Sequence, residues 1–314
     1  MLEGLPTTTI EFERTFATEE DCVAFLRRKR WPNGFRCPKC AGEKAWQLRA
    51  RPLDECVGCG HQVSSTAGTV FEGTRKPLVE WFRVIAEFVV SKRGVSAKEI
   101  QRRFGMSYQT AWTWLHKLRS VMDQLGREKL TGAVEMDETY LGGEDPADKK
   151  GRSVAGKKTP VIAAVEDRGE SCGRLRIEFS GGVTGEDLAA FAERNIEKGA
   201  TVRTDGLSSY GALEKAGYVR DKNVVGDGKN APRVLPKVHR VFSLLRRWLL
   251  GTLHGSASVT HLKRYLDEYV FRFNRRNSKN RWLLFGRVIE AAFVAPPTYR
   301  ELVRGPDPLP VVST

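Results

Sequence analysis

Apolar and polar positions suggest a helix near the start, turn helical again after the Thr/Gly-rich connector "SSTAGTVFEGTRKP", and change period from residue 131. "TEEDCVAFLRRKR", residues 18 to 30, opens with Thr18 and acids and closes on basic side chains, the order a helix dipole prefers, so it predicts a helix start. Trp81, Ile85, Phe88 and Val89 make one apolar stripe further on. "GVSAKEIQRRFGMSYQTAWTWLHKL" then predicts a capping box at Ser96 with Glu99, an apolar helix through Ile100 and Phe104, a turn at Gly105 and a second cap at Ser107. "TGAVEMDETYLGG", "TPVIAAVEDRG" and "GRLRIEFSGG" read as strands, and "TGEDLAAFAERNIEKGA" as a capped helix. "TVRTDGLSSYGAL" predicts a short strand ending at Asp205, with one more strand within 219–225. In "VHRVFSLLRRWLLGTLHG", Val238, Val241, Phe242, Leu245 and Leu249 recur at i, i+3, i+4, i+7 and i+11, the stripe a helix buries. Strands followed by helices, with acids at strand ends, point to an α/β domain. No internal repeat is found, and the Pro-rich "GPDPLPVVST" predicts an extended or mobile tail.

Composition adds partners to this outline. The chain has 314 residues, 40% hydrophobic, which suits two or three domains with a sizeable core and argues against disorder. Lys and Arg number 52 against 38 Asp and Glu, giving +14. Such an excess suits polyanionic partners, because phosphate contacts release counterions, although a merely soluble basic protein has the same balance. The polar, acidic start "MLEGLPTTTIEFERTF" argues against secretion, and "FRVIAEFVV", broken by Arg83 and Glu87, is too short to span a bilayer. A cytoplasmic protein, nucleoid-associated and with no membrane partner, is the expectation.

Six cysteines without an export signal argue for a reducing compartment. Four are grouped. Cys37 and Cys40 form one C-x2-C, fifteen residues intervene, and Cys56 and Cys59 form the second, with Gly58 and Gly60 at its turn. That spacing predicts two knuckles donating four thiolates to a structural Zn2+. Such a ribbon folds around its metal, which then serves stability. Cys22 and Cys172 read as buried apolar residues.

The helix, turn and helix between Ser96 and Lys117 match a helix-turn-helix, whose second helix would enter a major groove. Tyr108, Gln109, Thr113 and Lys117 are then the candidate DNA contacts. An ordinary helical hairpin between two domains has the same pattern; the neighbouring ribbon and the basic charge favour DNA.

Asp137 and Asp205 both close predicted strands, which brings distant positions to one rim of a sheet, and a facing helix can supply a third group. Two carboxylates so placed bind Mg2+ or Mn2+, and a metal pair about 3.5–4 Å apart can activate a water or a 3′ hydroxyl. For either residue alone a turn role is the commoner one, and Asp205 before Gly206 suits that equally. His239 lies at the border of the apolar stripe, beside Ser243 and Arg246, where a side chain can face a cleft.

"VEMDETYLGG", "VRTDGLSSYG", "VHRVFSLLRRWLLGT" and "HLKRYLDEYVFRFNRR", in that order behind a zinc ribbon, resemble bacterial insertion-sequence transposases of the DDE superfamily. The likeness is to the ISXO-type lineage and runs from about residue 12 to 295. It implies an α/β fold: a ribonuclease-H-like catalytic core, a mixed sheet with flanking helices, preceded by a zinc ribbon and a helix-turn-helix domain. The boundaries expected are 1–74 for the ribbon with its N-terminal helix, 75–127 for the helix-turn-helix, 131–295 for the core and 296–314 for the tail. The resemblance implies binding to terminal inverted repeats, cleavage that frees 3′ hydroxyls, and joining to target DNA by two-metal chemistry. It also implies at least a dimer, since two ends are joined together.

By position, Asp137 and Asp205 match the first two catalytic acids. The third acid of such triads opens a helix some thirty-odd residues later, with a basic residue seven places on. Here those places fall on His239, 34 residues beyond Asp205, and on Arg246. A neutral imidazole can ligate a divalent ion but brings no charge and favours Mn2+ over Mg2+. His239 is thus a metal ligand, a general base, or a degenerate position in an inactive chain. Glu268, 63 residues after Asp205, is a reserve carboxylate whose simpler role is on a helix surface. The basic runs "RRKR", "LLRR" and "FNRRNSKNR", including Arg275 and Arg276, follow the expected DNA path, and Trp248 and Trp282 read as core. The rival readings are a non-enzymatic DNA-binding regulator, for which the first 127 residues suffice, and a domesticated transposase that binds without cutting.

Overall fold

The first two helices are set by their caps, α1 (Thr9–Thr15) by Thr8 and α2 (Glu19–Arg30) by Thr18, whose hydroxyl accepts from the Asp21 amide while the Asp21 carboxylate accepts from the Thr18 amide. This computed structural model describes residues 5–48, 51–122, 128–141, 159–223, 231–253 and 259–305, and the last nine residues of the expected tail lie outside them. A small antiparallel sheet follows: β1 (Ala45–Gln47), β2 (Leu53–Cys56) and β3 (Gln62–Ser64). Then come α3 (Leu78–Val90), α4 (Ala97–Phe104) and α5 (Tyr108–Met122). Next are β4 (Ala133–Leu141), β5 (Thr159–Arg168), β6 (Ser171–Phe179), α6 (Gly185–Asn195) and β7 (Thr201–Thr204). A 3-10 turn (Ser208–Gly211), α7 (Ala212–Lys215), β8 (Val219–Lys222), α8 (Ala231–Val234), α9 (Pro236–Leu253), α10 (Val259–Asn274) and α11 (Trp282–Ala291) complete the order used below. None of the described helices is long and apolar enough to cross a membrane.

Two compact units result. The first takes residues up to 125 and also 278–302; the second takes 126–277 with the C-terminal end. In the first, the expected α3 stripe of Trp81, Ile85, Phe88 and Val89 is buried. Trp81 stacks on Trp114 of α5 at 3.7 Å between ring centres. α4 ends at Gly105, whose left-handed φ of 62° favours a residue without a Cβ. Half of the expected box at Ser96 forms: its hydroxyl accepts from the Glu99 amide, but the Glu99 carboxylate pairs with Arg103 at 3.5 Å. α11, which lies within the 131–295 that the resemblance implies for the core, packs in this unit. Trp282 stacks on Phe12 and Phe285 meets Phe16 and Phe82, because an apolar helix goes where the largest aromatic surface is left to cover.

The run "RRKR" is largely internal glue. Arg27 forks onto Asp54 with Nε at 2.9 and 3.0 Å, Arg30 donates to the carbonyls of Ser65 and Ala67, and Lys29 pairs with Glu290 at 3.6 Å. Three of these four charges therefore already have partners in the protein.

The second unit holds a five-stranded sheet in the order β6-β5-β4-β7-β8. β5 runs antiparallel to both its neighbours, β4 and β6, and β7 and β8 run parallel to β4, giving the mixed, ribonuclease-H-like sheet. Alternation along β4 separates two cores. Val134 and Met136 face Leu188, Phe191 and Tyr210, whereas Leu141 belongs with Val161, Ala163 and the α9 and α10 side chains. All five residues of the expected α9 stripe are buried in that second core, each contributing roughly 1.5–3 kcal/mol. Trp248 packs at its edge against Tyr269. Cys22 is fully buried, but Cys172 is only partly so. Glu268 is not on a surface: it is 0% exposed and its Oε1 accepts from Arg272 Nε at 2.7 Å, a buried pair within α10.

Candidate functional site

In the ribbon, each knuckle backbone turns back on itself at the residue after its second cysteine. Those residues are Ala41 and Gly60, with φ of 61° and 68°. Cys37 and Cys59 sulfurs lie 3.7 Å apart and Cys40 and Cys56 sulfurs 3.5 Å apart. All four lie within 4.8 Å of one another. Zn–S bonds of about 2.3 Å in a tetrahedron require sulfurs ~3.8 Å apart, so the cluster fits structural zinc. Gly42, rather than Gly58, is the glycine pressed against it, since a Cβ there would stand 3.3 Å from both Cys40 and Cys56 Sγ.

The second site grows out of β4. Glu135 pairs with Arg203 in the parallel β4–β7 register, so two residues further on Asp205, just past the end of β7, stands beside Asp137. Asp137 does not close its strand as expected but lies midway along β4, because pairing with β5 carries β4 on to Leu141. Arg220 braces the turn after β7, donating Nε to Thr204 Oγ1 and Nη2 to the carbonyls of Asp205 and Leu207. Asp205 Oδ1 itself accepts from the Leu207 amide at 2.9 Å. α9 crosses this face of β4, and His239 Nε2 lies 3.5 Å from Asp137 Oδ2. Among the described residues, the four cysteines form the group whose ligand atoms all fall within 4.8 Å of one another; the Asp137, Asp205 and His239 set is looser than that.

Electrostatics mark the place. Burial, then the neighbouring Glu138 and Asp205 charges, push the Asp137 carboxyl up to about 8. Burial, then the Arg246 charge, hold the His239 imidazole below its usual 6.5 against the pull of Asp205. At neutral pH, without a metal, the pair is therefore mainly a protonated carboxyl beside a neutral imidazole, with no ion pair between them. A cleft of about 500 Å³ adjoins it, lined by Glu138, Thr139, His239, Phe242, Ser243 and Arg246 among others. Arg246 Nη2 donates to Thr139 Oγ1 at 2.6 Å. A larger cavity of about 700 Å³ lies in the first unit against α2 and has no such carboxylate and imidazole set.

Of the other sequence candidates, Tyr108 and Gln109 are exposed on the first turn of α5, and Lys98 Nζ sits 5.5 Å from the Tyr108 ring. Thr113 and Lys117 are half-buried, and burial lowers the Lys117 ammonium below its usual range. Arg275 lies over Phe271, 4.4 Å from the ring centre. Arg276 has partners within the second unit. Its guanidinium donates to the carbonyls of Cys172, Gly173 and Phe273 and stacks on Phe273, strapping β6 to the end of α10.

Sequence patterning passed over three groups here. Glu138 accepts from Tyr210 OH at 2.6 Å, Glu135 is fully buried on the Asp137 face, and Lys237 pairs with Asp167 at 2.8 Å. The signal available for Glu135 was its place between Val134 and Met136, on the same strand face as Asp137 two residues on.

Comparison with known proteins gives the following. Residues 129–274 match the ISXO2-like transposase domain and residues 17–62 the transposase zinc-ribbon domain. A protein of Halobacterium salinarum, described as an uncharacterized protein in transposable element ISH50, is 27% identical over 280 residues, covering 82% of this chain and 92% of that one. That relative is archaeal, so the likeness is not confined to bacteria. The catalytic core domain of BIV integrase is similar at a TM-score of 0.33 and 13% identity, over 50% of this chain and 95% of that one. The Mos1 strand transfer complex is similar at 0.30 and 14%, over 67% and 75%.

Proposed function

We infer, from a chain built as an ISXO2-like transposase with an N-terminal zinc ribbon and a ribonuclease-H-like core, that it cuts DNA at the ends of an insertion sequence and joins those ends to a target. The observation that carries this reading is the 3.5 Å approach of His239 to Asp137, beside the end of β7 where the register brings Asp205. In this reading residues 75–127 act as a helix-turn-helix on the terminal inverted repeats. Tyr108, Gln109 and Thr113 are offered to base edges, and Lys117 and Arg275 to phosphates. Joining two ends at once calls for at least two copies of the chain.

The donor set fits divalent Mg2+ or Mn2+. Burial first, and then the nearby Glu138 and Asp205 charges, lift the Asp137 carboxyl to about 8, and a bound cation would offset both by favouring the ionised form. Asp137, Asp205 and His239 would hold the ions. Bound there, they would supply Lewis-acid polarisation of a phosphodiester and a more acidic water. The residues of the chain do the rest. His239, held as a neutral imidazole, offers a lone pair, and Arg246, steadied by Thr139, faces the cleft where a phosphate would sit. Water attack at an end breaks a P–O3′ bond and leaves a 3′ hydroxyl and a 5′ phosphate. Attack of that hydroxyl on target DNA forms one phosphodiester and breaks one, so no energy source is required.

The test is a supercoiled plasmid carrying the ends of the element, incubated with the purified full chain and Mg2+ or Mn2+. Nicked, cut and joined products are expected. End binding with no product in either metal would leave a DNA-binding protein that does not cut.

A further inference from the structure

Glu135 has no part in the chemistry above, yet it is a carboxylate with 0% exposure in the middle of the sheet. An apolar residue would fill this inward position with a smaller desolvation cost. What Glu135 touches is the start of α9. Its Oε2 accepts from the backbone amides of Lys237 at 2.8 Å and Val238 at 3.0 Å, first-turn donors that have no partner within a helix. The local sequence supplies no cap of its own: Leu235 before the helix has no side-chain oxygen, and Pro236 has no amide hydrogen. The sheet provides it instead. Lys237 Nζ stands 4.0 Å from Glu135 Oε1 and 2.8 Å from Asp167 Oδ1, so the same turn is also tied to β5.

The contacts then climb β4 two residues at a time. Glu135 holds the Lys237 and Val238 amides, Asp137 meets His239, and Thr139 meets Arg246. We propose that Glu135 is a positioning residue, a cap delivered from β4 that sets the rotation and depth of α9 and so keeps the His239 imidazole facing Asp137. This rests on the assignment of Asp137 and His239 as metal-holding groups.

The experiment measures Mn2+ binding to the full chain by calorimetry without DNA, alongside end cleavage, for the wild type, Glu135→Gln, Glu135→Ala and Glu135→Asp. Gln keeps an acceptor oxygen in place and is expected to bind Mn2+ close to the wild-type affinity. Ala has no acceptor and Asp is one methylene short, so both are expected to lose roughly 10–100-fold, the usual cost of losing a residue that orients a ligand. Glu166→Gln, which removes a buried carboxylate elsewhere in the sheet, should lower stability and leave Mn2+ affinity unchanged. In a His239→Ala background, Glu135→Ala should add no further loss. Wild-type affinity in both Glu135→Ala and Glu135→Asp, additive losses in the double variant, or an equal loss in Glu166→Gln would each overturn the proposal. A wild type that binds no Mn2+ fails differently: it removes the metal-site reading, and the proposal with it.

Discussion

Glu166 offers a stability prediction whose size follows from its contacts. Its carboxylate lies on β5 opposite Val134, beside the strand that carries Asp137. It accepts from the Arg174 side chain at 2.6 and 2.8 Å, the Arg174 amide at 3.0 Å, the Thr131 amide at 3.3 Å and Arg168 at 2.9 Å. Burial opposes ionisation, but these bonds, led by Arg174, overcome it and hold the carboxyl at about 2 instead of 4.5. At 1.36 kcal/mol per unit, the ionised form contributes on the order of 3 kcal/mol. That is an upper figure, because Arg174 is 26% exposed and water screens it. The folded-state value is depressed, so the contribution is complete above the unfolded value near 4.5 and is lost as pH falls through about 2. Glu166→Gln should therefore be less stable than the wild type by up to ~3 kcal/mol at pH 7 in urea unfolding, with roughly half of that gap gone by pH 3. Acid loss of zinc from the ribbon affects both proteins alike and cancels in the difference. A gap that stays constant from pH 7 to pH 3 would refute the linkage.

Four further outcomes are expected. Asp137→Asn and Asp205→Asn should abolish end cleavage while gel-shift binding of the ends persists; cutting that survives either change contradicts the assignment. His239→Ala should cripple cleavage, whereas His239→Glu should retain it with better use of Mg2+, and equal turnover of both variants and the wild type would make His239 a bystander. Ala41→Gly should relieve the left-handed strain at φ 61° and stabilise the zinc-loaded ribbon by about 1 kcal/mol, read as slower zinc loss to a chelator. Gly173→Ala would place a Cβ 2.6 Å from Glu166 Oε2 and 2.7 Å from Arg168 Nε, so a loss of about 1–3 kcal/mol is expected on denaturation, and wild-type stability would show that these side chains give way freely.

The sequence by itself determined the features that depend on neighbours along the chain. Two cysteines three residues apart can share one ion whatever surrounds them, so the ribbon was legible from spacing. Periodicity placed the α3 and α9 stripes, because a helix has one face to bury, and it placed β4 and β7 as strands. Asp205 does follow the end of β7, but Asp137 sits midway along β4, which continues to Leu141. Only the tertiary structure decided which distant partner each charged side chain meets. It put α11 among the aromatics of the first unit, joined Arg27 to Asp54, buried Glu268 against Arg272 and turned Arg276 onto backbone carbonyls. It also set Glu135 beneath the first turn of α9. A buried acid announces that it needs a partner, but which donor arrives is fixed by the register of strands and the crossing of a helix more than a hundred residues away.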